Sequence, residues 1–289
     1  MGDGTIIEGK DTPAFFAAHS RKLLAHAACI AIKDTDNRVS SKGTATFVVH
    51  EHKRLIFTAE HVVSALERSD ASQRALLLPT MDNAGEFVVG HALLPNEIAF
   101  PLDVIWRDSE LDAAVLDASF VQAERVRWFP LNTSVDSCET VRQIWRAVAE
   151  DGEGSLPFMI AGYAEWGHLR DHEERLELLS GLPLFVHVTE WDALGTAGAQ
   201  ISMEIVAGNR PVEEVAASEL HRQMIEKMTT ADSPFGGYSG GPIAVFDPKG
   251  VHLIGLVNEG GFMFGQARGF GAAIDDIARL AGLRAGERG

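Results

Sequence analysis

The sequence predicts an all-β fold with a helix near each end of the chain. Short runs of apolar and β-branched residues recur along most of its length, separated by turns rich in Asp, Asn, Gly and Lys. No internal repeat is present, and many short strands of this kind are typical of sandwiches and barrels. The predicted strands are residues 29–32, 44–49, 54–57, 75–78, 87–89, 114–116, 158–161, 184–188, 201–206, 243–246 and 253–257.

Three segments have helical composition instead. Asp11, Thr12 and Pro13 precede the run 14–28, and Asp or Thr there can accept hydrogen bonds from the first free amides of a helix. Residues 212–228 carry Glu and Lys among their polar positions, and residues 274–280 predict a short closing helix.

The composition excludes two classes of partner. Hydrophobic residues make up 46% and charged residues 23% of the chain, and no apolar run approaches the length that spans a bilayer. The 41 acidic residues outnumber the 25 basic ones and give a net charge of −16, which repels phosphate backbones and anionic lipids. We therefore expect neither a nucleic-acid nor a membrane partner.

Two features favour a cytoplasmic location. Residues 1–10 lack the basic segment and apolar stretch of a secretory signal. The only cysteines are Cys29 and Cys138, whereas small secreted proteins are usually rich in disulfides. We expect no disulfide between them.

The domain organisation follows from the length and from one change in composition. A chain of 289 residues can hold two modest domains, and acidic residues and glycines accumulate between residues 135 and 155. We expect a helical extension at 1–28, a first β-rich half at 29–140 and a second at 141–289.

A glycine-rich loop surrounds one serine. The segment FGGYSGGP at residues 235–242 runs directly into the predicted strand 243–246. Glycines beside a nucleophile permit backbone conformations closed to other residues, so that the amides of Gly237 and Ser239 can point together at a developing oxyanion. Ser239 is the candidate nucleophile.

A serine nucleophile needs a base and a group that orients the base. His61 follows the predicted strand 54–57 in the segment FTAEHVV, and Asp112 precedes an apolar run in LDAAVL. A histidine can take the serine proton, and a carboxylate beside it holds the imidazole in the required tautomer. Each residue alone is more often a core histidine or a strand-end cap; all three together favour catalysis.

These three blocks resemble the signature blocks of trypsin-like serine peptidases. TAEH ending at His61, DAAVL beginning at Asp112 and GYSGGP around Ser239 occur in the order of that family, and the likeness spans residues 29–280. The residues 255–258 and 269–274 also resemble the strands that wall its specificity pocket, with the latter closer to bacterial members poor in disulfides.

The resemblance implies a fold of two six-stranded antiparallel β-barrels, with an N-terminal and a short C-terminal helix, and a serine endopeptidase activity without cofactor or metal. It implies His61, Asp112 and Ser239 as the catalytic triad, and Gly237 and Ser239 as the oxyanion hole. It implies Ser233 near the pocket floor, with Asp232 beside it, and Asn258, Glu259 and Gly260 along the bound peptide. The acidic neighbours favour basic residues in the substrate.

The sequence departs from the family pattern in two places. Tyr238 stands where digestive members carry the aspartate that receives a newly released amino terminus, so that activation route is not expected, and the segment IIEG at residues 6–9 is interpreted as coincidence. The stretch 163–230 is longer than a minimal second barrel requires and is predicted to be an insertion that contacts substrate or a regulatory protein.

Two alternatives remain. The segment GYSGG also satisfies the Gly-x-Ser-x-Gly pattern of α/β-hydrolases, but there the nucleophile precedes a helix and the histidine comes last. A catalytically silent trypsin-like module that binds a peptide or protein is the second alternative. The histidine pairs His50 and His52, and His168 and His172, lack a clear third ligand and predict no metal site.

Overall fold

A computed structural model describes residues 19, 22–36, 39–79, 96–151, 156, 158–163, 168–170, 177–179, 181–194, 198–205, 236–247, 250–263 and 266–283. The chain is predominantly β, as predicted, with a sheet in the first half and a closed barrel in the second. The predicted strand 87–89 and the predicted helix 212–228 lie outside the described residues.

The N-terminal sheet has eight strands. Its order is β5-β4-β1-β2-β3-β7-β6, with β8 paired to β2, and every pairing is antiparallel except the short one between β2 and β8. The strands are β1 (Ala27–Lys33), β2 (Val39–His50), β3 (Lys53–Thr58), β4 (Arg74–Leu78), β5 (Asn96–Ala99), β6 (Val104–Asp108), β7 (Ala113–Asp117) and β8 (Phe129–Pro130).

The C-terminal half contains a closed six-stranded barrel. Its strands follow the order β12-β13-β16-β15-β14-β9, and β9 pairs with β12 to close it, with all pairings antiparallel. A separate hairpin is formed by β10 and β11. The strands are β9 (Phe158–Gly162), β10 (His168–Arg170), β11 (Glu177–Leu179), β12 (Leu182–Leu194), β13 (Gly198–Ile205), β14 (Pro242–Asp247), β15 (Gly250–Met263) and β16 (Gln266–Ala273).

Of the two expected barrels, the described residues show one, the closed barrel of the second half. Among the described strands, the path of the N-terminal sheet ends at β5 and β6 without a pairing between them. In the second half, β10 to β13 fall inside the stretch 163–230, so part of the predicted insertion consists of barrel strands.

Three longer helices lie in the described residues: α1 (Glu60–Glu67), α2 (Leu131–Asp151) and α3 (Ile274–Leu280). Two short 3-10 helices span Ala71–Gln73 and Ala123–Arg125. The predicted closing helix 274–280 is confirmed by α3. Residues 22–24 are helical, but the predicted helix 14–28 is wrong at its end, because Ala27 and Ala28 pair with β2 and belong to β1. No described helix has the length and apolar character needed to cross a membrane.

Helix α2 occupies the position predicted as a domain boundary. One side of it packs against the barrel through Cys138 and Trp145, and the Trp145 indole donates a hydrogen bond to the Val188 carbonyl at 3.0 Å. Arg142 forms an ion pair of 2.8 Å with Asp275 at the start of α3. The chain between the halves is thus a packed helix.

The hydrophobic core follows from the alternation along the strands. One cluster fills the N-terminal sheet around Phe47, Ile56 and Leu116, and a larger one fills the barrel. The larger cluster also includes Phe57 and Val115 from the N-terminal sheet, so the two halves share apolar surface. Each such side chain contributes roughly 1.5–3 kcal/mol when fully buried. Both cysteines are buried free thiols.

Candidate active site

His61 lies in the first turn of α1, which begins two residues after β3 ends. Val62, Val63 and Leu66 are the buried side of this helix, so the His61 side chain faces outward with 49% of its surface exposed. The helix has no side-chain cap from Ala59. Its first amides therefore need partners from elsewhere in the fold.

Asp112 supplies that partner and also binds the imidazole. It lies in the turn between β6 and β7 with φ of 46°, a left-handed conformation that Asp tolerates better than most residues. Its Oδ1 accepts a hydrogen bond from the His61 amide at 3.0 Å, and its Oδ2 lies 2.8 Å from His61 Nδ1. With the Nδ1 proton held by the carboxylate, Nε2 is left as the basic nitrogen.

The pKa of His61 is raised above its usual value of 6.5. The hydrogen bond to Asp112 is the largest cause, partial burial opposes it, and the negative charges of Asp112, Glu60 and Glu259 add to it. A raised pKa makes His61 a stronger proton acceptor, as a general base requires.

Ser239 lies in a tight turn at residues 236–240, directly before β14, with 9% of its surface exposed. Gly237 and Gly240 have φ values of 87° and 85°, which glycine adopts without strain. Within the turn, the Gly241 amide donates to the Tyr238 carbonyl at 2.7 Å. The Tyr238 side chain is fully buried, and a Cβ on Gly162 would lie 2.6 Å from its ring.

Strand β2 of the other half holds this turn in place. The Thr44 hydroxyl donates to the Gly237 carbonyl at 2.7 Å, and the Thr44 amide donates to the Ser239 carbonyl at 2.8 Å. The Thr46 hydroxyl donates to the Gly240 carbonyl at 2.7 Å. Sequence analysis missed both threonines, because nothing local in the segment GTATFVV marks them as partners of a loop nearly two hundred residues away.

Four carbonyl oxygens of the turn thus accept hydrogen bonds, while two of its amides have no partner among the described residues. In the described part of the chain, neither the Gly237 nor the Ser239 amide donates a hydrogen bond. Free amides at these two positions are what the predicted oxyanion hole requires.

The turn also lies close to the segment that carries His61. A Cβ on Gly240 would lie 2.7 Å from Thr58 Cα, three residues before His61. A Cβ on Gly43 would lie 2.6 Å from Val62 Cγ2 and 2.8 Å from the Ser239 carbonyl oxygen, so these two groups flank one glycine. Among the described residues, no hydrogen bond joins Ser239 Oγ to the His61 imidazole.

The predicted substrate-bordering residues lie on β15. Asn258 is buried, and its amide nitrogen donates to the Leu111 carbonyl at 2.7 Å, directly before Asp112. Glu259 is exposed, and Gly260 pairs with Gly269 of β16. The side chain of Asn258 thus supports the Asp112 turn, a contact that the sequence did not reveal.

The remaining predictions concern the pocket floor and the two histidine pairs. Ser233 and Asp232 lie outside the described residues, as does His172. His50 is buried on β2 beside the exposed His52. The described ranges contain no group of three or more potential metal ligands.

No family model matches the sequence, and no curated protein matches it.

Proposed function

We propose that this chain is a serine endopeptidase of the trypsin-like family, with His61, Asp112 and Ser239 as its catalytic triad. The observation that carries the proposal is the His61–Asp112 hydrogen bond of 2.8 Å beside the turn that presents Ser239. Trypsin-like membership rests on the sequence blocks and on their agreement with the closed antiparallel barrel.

The proposed reaction begins with attack of Ser239 Oγ on a peptide carbonyl. His61 Nε2 accepts the serine proton, and Asp112 stabilises the imidazolium through its bond to Nδ1. The amides of Gly237 and Ser239 bind the oxyanion. His61 then gives its proton to the leaving amine, and water, activated by the same imidazole, releases the acyl group.

The Ser239 hydroxyl has to meet the imidazole during this cycle. Catalytic hydrogen bonds are often long or misaligned before substrate binds and shorten only in the substrate complex. The proposal therefore includes formation of this hydrogen bond in the substrate complex.

Kinetics of peptide hydrolysis test the proposal. Ser239→Ala and His61→Ala are each expected to reduce kcat by roughly 10⁴-fold, because the triad acts as a unit. Ser137→Ala is a matched control, since the Ser137 hydroxyl also lies 3.0 Å from a histidine nitrogen, His252 Nδ1, but has no part in the proposed reaction. Its kcat should equal that of the original chain. Hydrolysis that survives Ser239→Ala would rule the proposal out.

One observation favours a second candidate, the catalytically silent module that binds a peptide or protein. The absence of a described hydrogen bond between Ser239 and His61 is the arrangement expected if the serine is not activated. Peptide binding without turnover, equal in the original chain and in Ser239→Ala, would support this candidate.

A further inference from the structure

The turn that carries Asp112 is closed by a side chain of its own hairpin. Asp108 ends β6, and residues 109–112 connect it to β7. The Asp108 Oδ1 accepts hydrogen bonds from the Glu110 amide at 2.9 Å and from the Leu111 amide at 2.8 Å. An aspartate that binds backbone amides two and three residues ahead of it fixes the course of the chain between them.

Leu111 is also held from the barrel half. Its side chain is buried in the cluster that fills the barrel, and its carbonyl accepts the hydrogen bond from the Asn258 amide nitrogen at 2.7 Å. Asn258 is the extra residue of a β-bulge, since Val257 and Glu259 pair with consecutive residues of β16, and a bulge re-aims the side chain at its position. Its side-chain oxygen has no hydrogen-bond partner among the described residues. The bond to Leu111 is therefore the polar contact that these residues give the buried Asn258 amide.

Both anchors act on the residue directly before Asp112. They fix the amide and the carbonyl of Leu111, and that carbonyl belongs to the peptide bond that leads to Asp112. Asp112 itself uses both carboxylate oxygens on His61, one for the amide at 3.0 Å and one for Nδ1 at 2.8 Å. A carboxylate that binds two groups of one residue tolerates little displacement of its backbone, because a shift that keeps one hydrogen bond lengthens or bends the other.

We propose that Asp108 is a positioning residue for the catalytic base. It binds the turn and not the imidazole, and by holding Leu111 it keeps the Asp112 carboxylate in place on His61 during the reaction. Asn258 completes this support from the other half of the chain. The inference rests on the proposed peptidase function and adds to it a residue outside the triad.

Steady-state kinetics and proton NMR of the full chain test this role. A displacement of about 1 Å in a catalytic arrangement can cost roughly 10²-fold in rate, so Asp108→Ala should lower kcat by roughly ten-fold to 10²-fold. KM should change by less than about two-fold, because the loss falls on the transition state. The proton between His61 Nδ1 and Asp112 resonates far downfield when the imidazole is charged, and His61→Ala identifies its signal. In Asp108→Ala this signal should move upfield and broaden.

Two further variants separate the geometry of the Asp108 contact from its charge. Asp108→Asn keeps the acceptor oxygen without the charge, and should restore most of kcat and of the downfield signal. Asp108→Glu keeps the charge but adds a methylene that the turn does not accommodate, so it should lower both. It also serves as the test if Asp108→Ala does not fold.

Asp117→Ala is the matched control. Asp117 closes a turn at the other end of β7, where its Oδ2 accepts a hydrogen bond from the Ser119 amide at 3.0 Å. Its loss removes the same kind of contact from the same strand but not from the Asp112 turn. The kcat and the downfield signal of Asp117→Ala should equal those of the original chain.

The results that would overturn the positioning role are specific to Asp108. They are an original kcat in folded Asp108→Ala or in Asp108→Glu, a lowered kcat with an unaltered His61 signal, or an Asp108→Asn chain as slow as Asp108→Ala. Each leaves the peptidase function intact if the original chain hydrolyses peptides. Absence of hydrolysis by the original chain would overturn the peptidase function instead, while a downfield signal that changes in Asp108→Ala would still support the hold of Asp108 on Asp112.

Discussion

At the scale of single residues, the site depends on how the charges around His61 set its affinity for a proton. Asp112 binds the imidazole directly, and Glu60 and Glu259 add negative charge without touching it. All three shift the pKa of His61 upward, which favours the protonated form. The proposed base works only when neutral, so kcat/KM should rise with pH through a midpoint above 6.5.

Glu60→Gln tests this dependence. Loss of the Glu60 charge lowers the pKa of His61, so the acid limb of the kcat/KM profile should move to lower pH. Glu124→Gln, at an exposed position in the short helix Ala123–Arg125, provides the control and should leave the midpoint in place. A midpoint that is unchanged or higher in Glu60→Gln would contradict the electrostatic account.

The residues of the proposed triad could be singled out because each stands in a local pattern with a chemical meaning. His61 and Asp112 adjoin apolar runs that become β3 and β7, and Ser239 lies among glycines that permit its turn. The supporting residues were not predictable in this way. Thr44 and Asn258 donate hydrogen bonds to the backbone carbonyls of Gly237 and Leu111. Because every residue has a backbone carbonyl, no sequence pattern identifies such an acceptor.

At the scale of elements, the Ser239 turn depends on β2 of the other half. The Thr44 hydroxyl donates to Gly237 and also accepts a hydrogen bond from the Tyr163 amide at 3.2 Å. Thr44→Val keeps the shape of the side chain but leaves both backbone groups unpaired in the interior. It should lower the free energy of unfolding by about 1–3 kcal/mol and slow the reaction of Ser239.

Urea unfolding and the rate of fluorophosphonate labelling measure these two effects. Thr44→Ser retains the hydroxyl and should restore most of the labelling rate. Thr140→Val on the exposed side of α2 should change stability by less than about 0.5 kcal/mol. A Thr44→Val protein with unaltered stability and labelling would show that this contact does not hold the turn.

Strands and helices differed in how well they could be predicted. Most of the predicted strands lie within observed ones because apolar alternation survives in a half-buried sheet. Helix α2 was missed because Asp136, Glu139 and Glu150 suggested a boundary. Its buried residues Leu131 and Cys138 and the partly buried Trp145 recur at seven-residue intervals, which is the helical signal that was overlooked.

At the scale of the whole molecule, the candidate site forms where the N-terminal sheet contacts the C-terminal half. The Thr44–Gly237, Leu111–Asn258 and Ser41–Tyr163 hydrogen bonds all join residues more than a hundred positions apart. Sequence patterns specify which segments are strands, but they do not specify pairings over such distances. For the same reason the closed C-terminal barrel could be expected only from a family resemblance, and closure of the N-terminal sheet is not seen among its described strands.

The central claim is that this meeting of two halves activates one serine. Fluorophosphonate labelling of the folded chain, followed by mass spectrometry of its peptides, tests that claim most directly, because such probes react with serines activated by a base. The account predicts one label per chain, on Ser239, lost in Ser239→Ala and strongly slowed in His61→Ala. A folded protein that takes up no label, or is labelled at a different serine, would contradict it.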